Sequence, residues 1–228
     1  MTLLRKNSVF LVLSLILWIG LGTILLYLPK ADLHLWLNQV HTPFLDAFFR
    51  VMTHLGEWVP YVVMAGLLFY RLGDATYLLS SVLVGGGIGQ IIKHLVNAPR
   101  PLTWFAANYP DIQLSLVDGV VMNTQLSFPS GHTISCFALC MTLSIILTNH
   151  KSSITNHPLT SFPLIQTFLF LLALTGSYSR IYLSQHFAMD IWAGMLIGIA
   201  TPILLYPLFA RFVMQKWYKM HFFQKKVH

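Results

Sequence analysis

Residues 187–209 read FAMDIWAGMLIGIATPILLYPLF, an apolar run interrupted by one charge, Asp190, about a turn from its start. As a helix rising 1.5 Å per residue, such a run crosses the ~30 Å hydrocarbon core of a bilayer. A carboxylate inside it is costly, so the same stretch marks a membrane span and a functional position. Working outward, five further apolar runs lie at about 8–28, 55–70, 76–96, 131–148 and 163–180. Some of their strictly apolar cores fall short of the ~20 residues that span a bilayer. They are too long for barrel strands, and backbone groups in lipid must pair within the element, so helices are expected. The sequence therefore predicts an all-α polytopic membrane protein, a bundle of six transmembrane helices. A single domain is expected over 1–228, with a core at about 40–208, an N-terminal span at 8–28 and a basic cytoplasmic tail at 211–228.

Composition agrees. Of 228 residues, 56% are hydrophobic and 9% charged, with mean hydropathy +0.67; soluble domains carry about 25% charged residues. So few charges cannot cover a water-facing surface. The net charge of +7 does not point to nucleic acid, because most basic residues flank apolar runs, where they serve orientation and headgroup contact. Cys136 and Cys140, at i and i+4 in one apolar run, read as buried helix residues and form no metal signature. Arg5 and Lys6 precede a first run that is longer than a signal-peptide core and lacks a small-residue cleavage site, so a retained helix is expected. With a cytoplasmic N-terminus, nine basic residues fall on the inner face: Arg5, Lys6, Arg71, Lys151, Arg211, Lys216, Lys219, Lys225 and Lys226. Five fall outside: Lys30, Arg50, Lys93, Arg100 and Arg180. That bias favours both termini in the cytoplasm.

Three connecting features stand out. Gly85-Gly86-Gly87 and Gly89 permit close helix approach in the third span. Residues 41–57, HTPFLDAFFRVMTHLGE, repeat apolar side chains at helical spacing around Asp46 and Arg50. They fit an interfacial amphipathic helix or one packed on the bundle. Residues 102–128 form a long, mostly uncharged connection with Trp104, Phe105 and Tyr109, suited to a cap at headgroup level.

The ionisable residues at span ends fall on one face if the six spans alternate. Lys93 ends the third span, and Arg100 follows it. His132 opens the fourth, Arg180 closes the fifth, His186 precedes the sixth, and Asp190 lies just inside it. This inventory suits a phosphate ester. Arg supplies a planar fork of donors and Lys a compact charge. Ser130 and Gly131 sit where a helix starts, where backbone N–H groups receive anions. His186 and Asp190, at i and i+4, share one helical face; the carboxylate can fix the imidazole tautomer while the other ring nitrogen attacks phosphorus. His132 can protonate the departing oxygen. Two histidines and an aspartate can also hold zinc, but three nearby cations oppose a metal. His94 points away from Lys93; Glu57 and His54 read as a helix cap or a headgroup contact.

These stretches resemble the type 2 phosphatidic acid phosphatase (PAP2) superfamily in three parts. KHLVNAPRP runs from Lys93 to Pro101, PSGH from Pro129 to His132, and SRIYLSQHFAMD from Ser179 to Asp190. The resemblance implies a six-helix PAP2 bundle and a metal-independent reaction without cofactor. His186 would form a phosphohistidine, Asp190 would orient it, and His132 would act as general acid and then assist water. Lys93, Arg100, Ser130, Gly131 and Arg180 would bind phosphate. It further implies a lipid phosphatase of a bacterial inner membrane with its site facing the periplasm. Substrates of that class include phosphatidylglycerophosphate, undecaprenyl diphosphate and lipid A phosphates, the last two types being favoured. Two alternatives are a phosphotransferase using the same intermediate and a non-catalytic lipid-binding or transport protein.

Overall fold

The computed structural model describes residues 3–149 and 162–213. Most of the basic tail, together with Lys151, His150 and His157, lies outside them. A short helix α1 (Leu3–Lys6) leads into α2 (Ser8–Tyr27), α3 (Lys30–Leu37) and α4 (Pro43–Met52). Then follow α5 (Val59–Tyr70), α6 (Leu72–Val96), α7 (Pro101–Asn108), α8 (Gly131–Asn149), α9 (Phe162–Tyr182) and α10 (Ala188–Leu208). Among the described residues, five helical stretches are long and apolar enough to cross a membrane. A sixth crossing appears when Pro43–Gly56 and Val59–Tyr70, bent by 52°, count as one span.

That bent pair corrects the reading of the second span. Its helix begins at Val59 and is 12 residues long, which reaches only about 18 Å. The amphipathic segment before it joins it at that bend, as in a broken span or a re-entrant loop. Thr42 caps α4 by accepting a hydrogen bond from the Leu45 N–H at 3.2 Å, with Pro43 in the first turn. Phe49 turns inward against Tyr178 and Tyr182 of α9, so α4 packs on the bundle.

Helix α8 is central. It is 67% buried over its span, against 11% for α2 at the periphery. Phe137, Met141 and Ile145 of α8 share a core with Phe10, Leu78 and Phe170 from three other helices. Glycine sets the closest approaches. A Cβ on Gly198 of α10 would lie 2.6 Å from the Ile134 carbonyl oxygen of α8. On α6, Gly85 and Gly89 face Ile134, whereas Gly86 and Gly87 face open space; only half of the glycine run makes close contact. At the far end from the phosphate motifs, Gln166 pairs backbone groups of α1 and α2 internally. The Gln166 side-chain oxygen accepts from the Val9 and Phe10 N–H groups at 3.1 and 3.2 Å, and its amide donates to the Lys6 carbonyl at 2.8 Å.

Overpacking the α8–α10 seam tests this frame. Gly198→Leu should destabilise by about 1–3 kcal/mol or more, read as a lower melting temperature in detergent. Gly86→Leu should melt like wild type; equal losses in both would refute the seam.

Candidate active site

Helix ends from across the chain meet at one face of the bundle. Helix α6 stops after Lys93 because Asn97 adopts a left-handed conformation (φ 46°) and donates its N–H to the Lys93 carbonyl at 2.8 Å. Two backbone bonds then draw the long loop back over this end: Arg100 N–H to Thr124 O and Ser127 N–H to Ala98 O, both 2.9 Å. Within the loop, α7 packs Phe105 on Phe187 and on His34 of α3, so the expected cap covers the start of α10.

Asp190 is the best-connected side chain here. It is 3% exposed, and its Oδ2 accepts from the Ser127 hydroxyl at 2.5 Å and the Phe187 N–H at 2.9 Å. The Nδ1 of His186 lies 3.2 Å from the same oxygen. The Phe187 bond is half of a capping box, with Asp190 in the first turn of α10 reaching back to the N-cap. The Asp190 carbonyl also accepts the Ser130 N–H at 3.0 Å, which ties the start of α8 to α10. His186 is held further by its own N–H, which donates to the Arg180 carbonyl at 3.0 Å. Burial is the main force on its imidazole. The Asp190 hydrogen bond and charge oppose it, the charges of Arg100 and Arg180 add to it, and the ring falls to about 3 from its usual 6.5. A ring kept neutral, with Nδ1 directed at a carboxylate, leaves the lone pair on Nε2.

The cations are anchored by neutral oxygens. Lys93 Nζ donates to the Leu126 carbonyl at 2.5 Å. Arg180 donates from Nη1 to the Thr53 hydroxyl at 2.6 Å, while its buried Nε has no partner among the described residues. Arg100 donates from Nε to Gln125 O at 3.0 Å and from Nη1 to the Gln185 side-chain oxygen at 2.9 Å. All three charges bear on the His132 imidazole. The Lys93 Cε lies 3.9 Å from where a Gly131 Cβ would stand. Ser130 is fully buried and accepts from the Thr133 N–H and hydroxyl at 3.3 and 3.0 Å. Lys93, Arg100, Ser130, Gly131, His132, Arg180, His186 and Asp190 therefore surround one locus. His94 is exposed and turned away from it. Among the described residues, no three His, Cys, Asp or Glu side chains converge as metal ligands.

Several contributors are uncharged and escaped the sequence reading. Ser127 binds Asp190, and Thr53 binds Arg180. Gly56 packs on the His132 backbone. Gln185, 1% exposed, bridges Arg100 to the loop by donating its amide to the Val121 carbonyl at 3.1 Å. The sequence signal for Ser127 was a polar side chain just before the PSGH stretch, and for Gln185 its place inside the SRIYLSQHFAMD stretch. Thr53 had none.

Comparison with known proteins finds relatives by sequence and by fold. Residues 74–214 match the sequence profile of the PAP2 superfamily. The chain is 27% identical to a lipid A 4'-phosphatase of Bacteroides thetaiotaomicron over 73% of its length and 71% of the relative's. It is 25% identical to phosphatidylglycerophosphatase B of Bacillus subtilis, covering 72% of this chain and 71% of that one. Among solved structures, LpxE of Aquifex aeolicus superposes with a TM-score of 0.61 and 27% identity, over 78% of this chain and 94% of that one.

Two outcomes test the site. Ser127→Ala removes one of the Asp190 donors and should lower kcat for lipid phosphate release about 10- to 100-fold with KM little changed; wild-type kcat would refute its role. The second concerns pH. Unfolded His186 takes a proton as pH falls below 6.5, whereas the buried ring refuses it until about 3. The unfolded state thus binds more protons in that window, and stability falls with pH by up to about 1.4 kcal/mol per unit. The melting temperature should drop more steeply from pH 6.5 to 4 in wild type than in His186→Gln; parallel curves would contradict a neutral buried ring.

Proposed function

This chain belongs to the PAP2 superfamily, and we propose that it releases phosphate from a membrane lipid at the periplasmic face of a bacterial inner membrane through a phosphohistidine. Its class, a PAP2-type lipid phosphatase, is established; the steps, substrate and orientation are our reading. The observation that carries the mechanism is the buried His186–Asp190 pair facing three cations and the start of α8.

In the first half-reaction, His186 Nε2 attacks phosphorus and a P–N bond forms. The P–O bond to the lipid breaks, and His132 gives its proton to the departing oxygen. Asp190 stabilises the charge that develops on the His186 ring. Lys93, Arg100, Arg180, the Ser130 hydroxyl and the Gly131 N–H take up the charge spread over the equatorial oxygens, since the Ser130 N–H already donates to the Asp190 carbonyl. In the second half, His132 takes a proton from water as the water attacks phosphorus, the P–N bond breaks, and inorganic phosphate leaves. The cations supply the electrostatic role a metal would otherwise fill, so no metal is needed.

Three features support the lipid and the orientation. Relatives are named as lipid A 4'-phosphatase and phosphatidylglycerophosphatase B, both phosphatases of a lipid. The nine-to-five bias of basic residues favours a cytoplasmic N-terminus, and the site lies at the opposite end of α2. The α7 cap and α4 flank the site with aromatic and apolar side chains suited to the interface. We favour substrates of the lipid A phosphate or undecaprenyl diphosphate type.

The test is phosphate release from defined lipid mono- and diphosphates in detergent, with and without a chelator. Wild type should release free phosphate as the sole labelled product, unaffected by chelator. His186→Gln should lose about 10³-fold or more. An acid-labile phosphoenzyme should form in wild type and be absent from that variant. Transfer of label to a second lipid would instead identify a phosphotransferase, and retained activity in His186→Gln would sink the mechanism.

A further inference from the structure

One cation near the site lies outside all three motif stretches. Lys30 opens α3, just after the first crossing, and sequence alone counted it only as a flanking charge. Its Nζ sits 3.7 Å from the centroid of the Phe187 ring and 4.6 Å from that of Trp104. Those cation–π contacts fix an otherwise flexible ammonium. The rings belong to the N-cap of α10 and to α7, so the cap over the site also positions the lysine.

Lys30 lines a cavity of about 180 Å³ together with Ser127, Phe187, Met189 and Asp190. The remaining wall is apolar, formed by Val96, Ala98, Pro99 and Phe128. Among the described residues, the hydrogen bonds to the Asp190 side chain all fall on Oδ2. Asp190 also lines this cavity, so its carboxylate and the Lys30 ammonium share one small, mostly apolar space. Burial lowers the Lys30 pKa, and the charge of Asp190 works against that loss. His34, one turn along α3, is the other titratable neighbour; burial pushes its imidazole down to about 4. It is therefore neutral where Lys30 is charged.

We propose that Lys30 is a positioning residue for the catalytic carboxylate: pinned over two aromatic faces, its ammonium faces Asp190 across this cavity and holds the anion behind His186. The inference rests on reading His186 as nucleophile and Asp190 as its orienter. The attacking Nε2 is at the other end of the imidazole from Asp190, so a charge in this cavity reaches the reacting atoms through the carboxylate. At several ångströms in a partly desolvated setting, one unit charge is worth about tenfold in rate.

The experiment compares wild type, Lys30→Met, Lys30→Gln and Lys30→Arg in phosphate release from a lipid that wild type hydrolyses, with melting temperatures recorded for each. Lys30→Met and Lys30→Gln should lose about tenfold in kcat with KM within about twofold, and Lys30→Arg should stay within about twofold of wild type. In an Asp190→Asn background, Lys30→Met should cost less than about twofold more, since its target is gone. Full activity in the neutral variants would overturn the inference. So would a raised KM at constant kcat, which marks a substrate contact, or an undiminished loss in the Asp190→Asn background. A wild type that releases no phosphate from any lipid would sink the functional reading itself; an active wild type with equally active Lys30 variants sinks this inference alone.

Discussion

A carboxylate buried in the first turn of a membrane helix is the constraint from which the rest follows. Asp190 cannot lie there without donors, because an unpaired charge in so dry a place is costly. Its donors come from three sources: a loop hydroxyl, the N-cap amide of its own helix and the neighbouring imidazole. Its carbonyl adds a fourth link, to Ser130 at the start of α8. One residue thereby joins the returning loop, the α9–α10 turn and both helix starts.

The cations obey a related logic. Lys93, Arg100 and Arg180 crowd one locus without a carboxylate bound to each. They are held by backbone carbonyls, a threonine hydroxyl and a glutamine. Neutral acceptors orient a cation and leave its charge uncancelled, so attraction for an anion is preserved. Full salt bridges would have stabilised the resting protein and blunted the site. The glycine seam serves the same end, bringing the α8 and α10 backbones close enough for the Ser130–Asp190 link.

The sequence made the outline legible for physical reasons. Span ends and their charges follow from the bilayer, which tolerates ionisable residues only where they face protein or water. Hence Asp190 stood out by itself, while Lys93 and Arg180 read singly as span-end anchors and gained meaning when the alternation of spans grouped them. What stayed hidden was whatever carries no charge. Thr53 and Ser127 are ordinary residues until the fold sets them beside Arg180 and Asp190. The bent second span was also hidden, because hydropathy registers length and not direction. Residues 41–57 looked interfacial because their apolar face is real; it is turned to Tyr178 and Tyr182.

The link between the N–H of Ser130 and the carbonyl of Asp190 also bears on biosynthesis. The chain emerges N-terminus first, and this bond joins residues 60 positions apart, the later one in the last crossing. Until α10 has entered the bilayer, the loop before α8 is held by its bonds to Ala98, Arg100 and Lys93 but lacks its tie to Asp190. The carboxylate thus arrives with α10, after the preceding crossings, and a chain stalled before it carries the cations of α6 and α9 without Asp190.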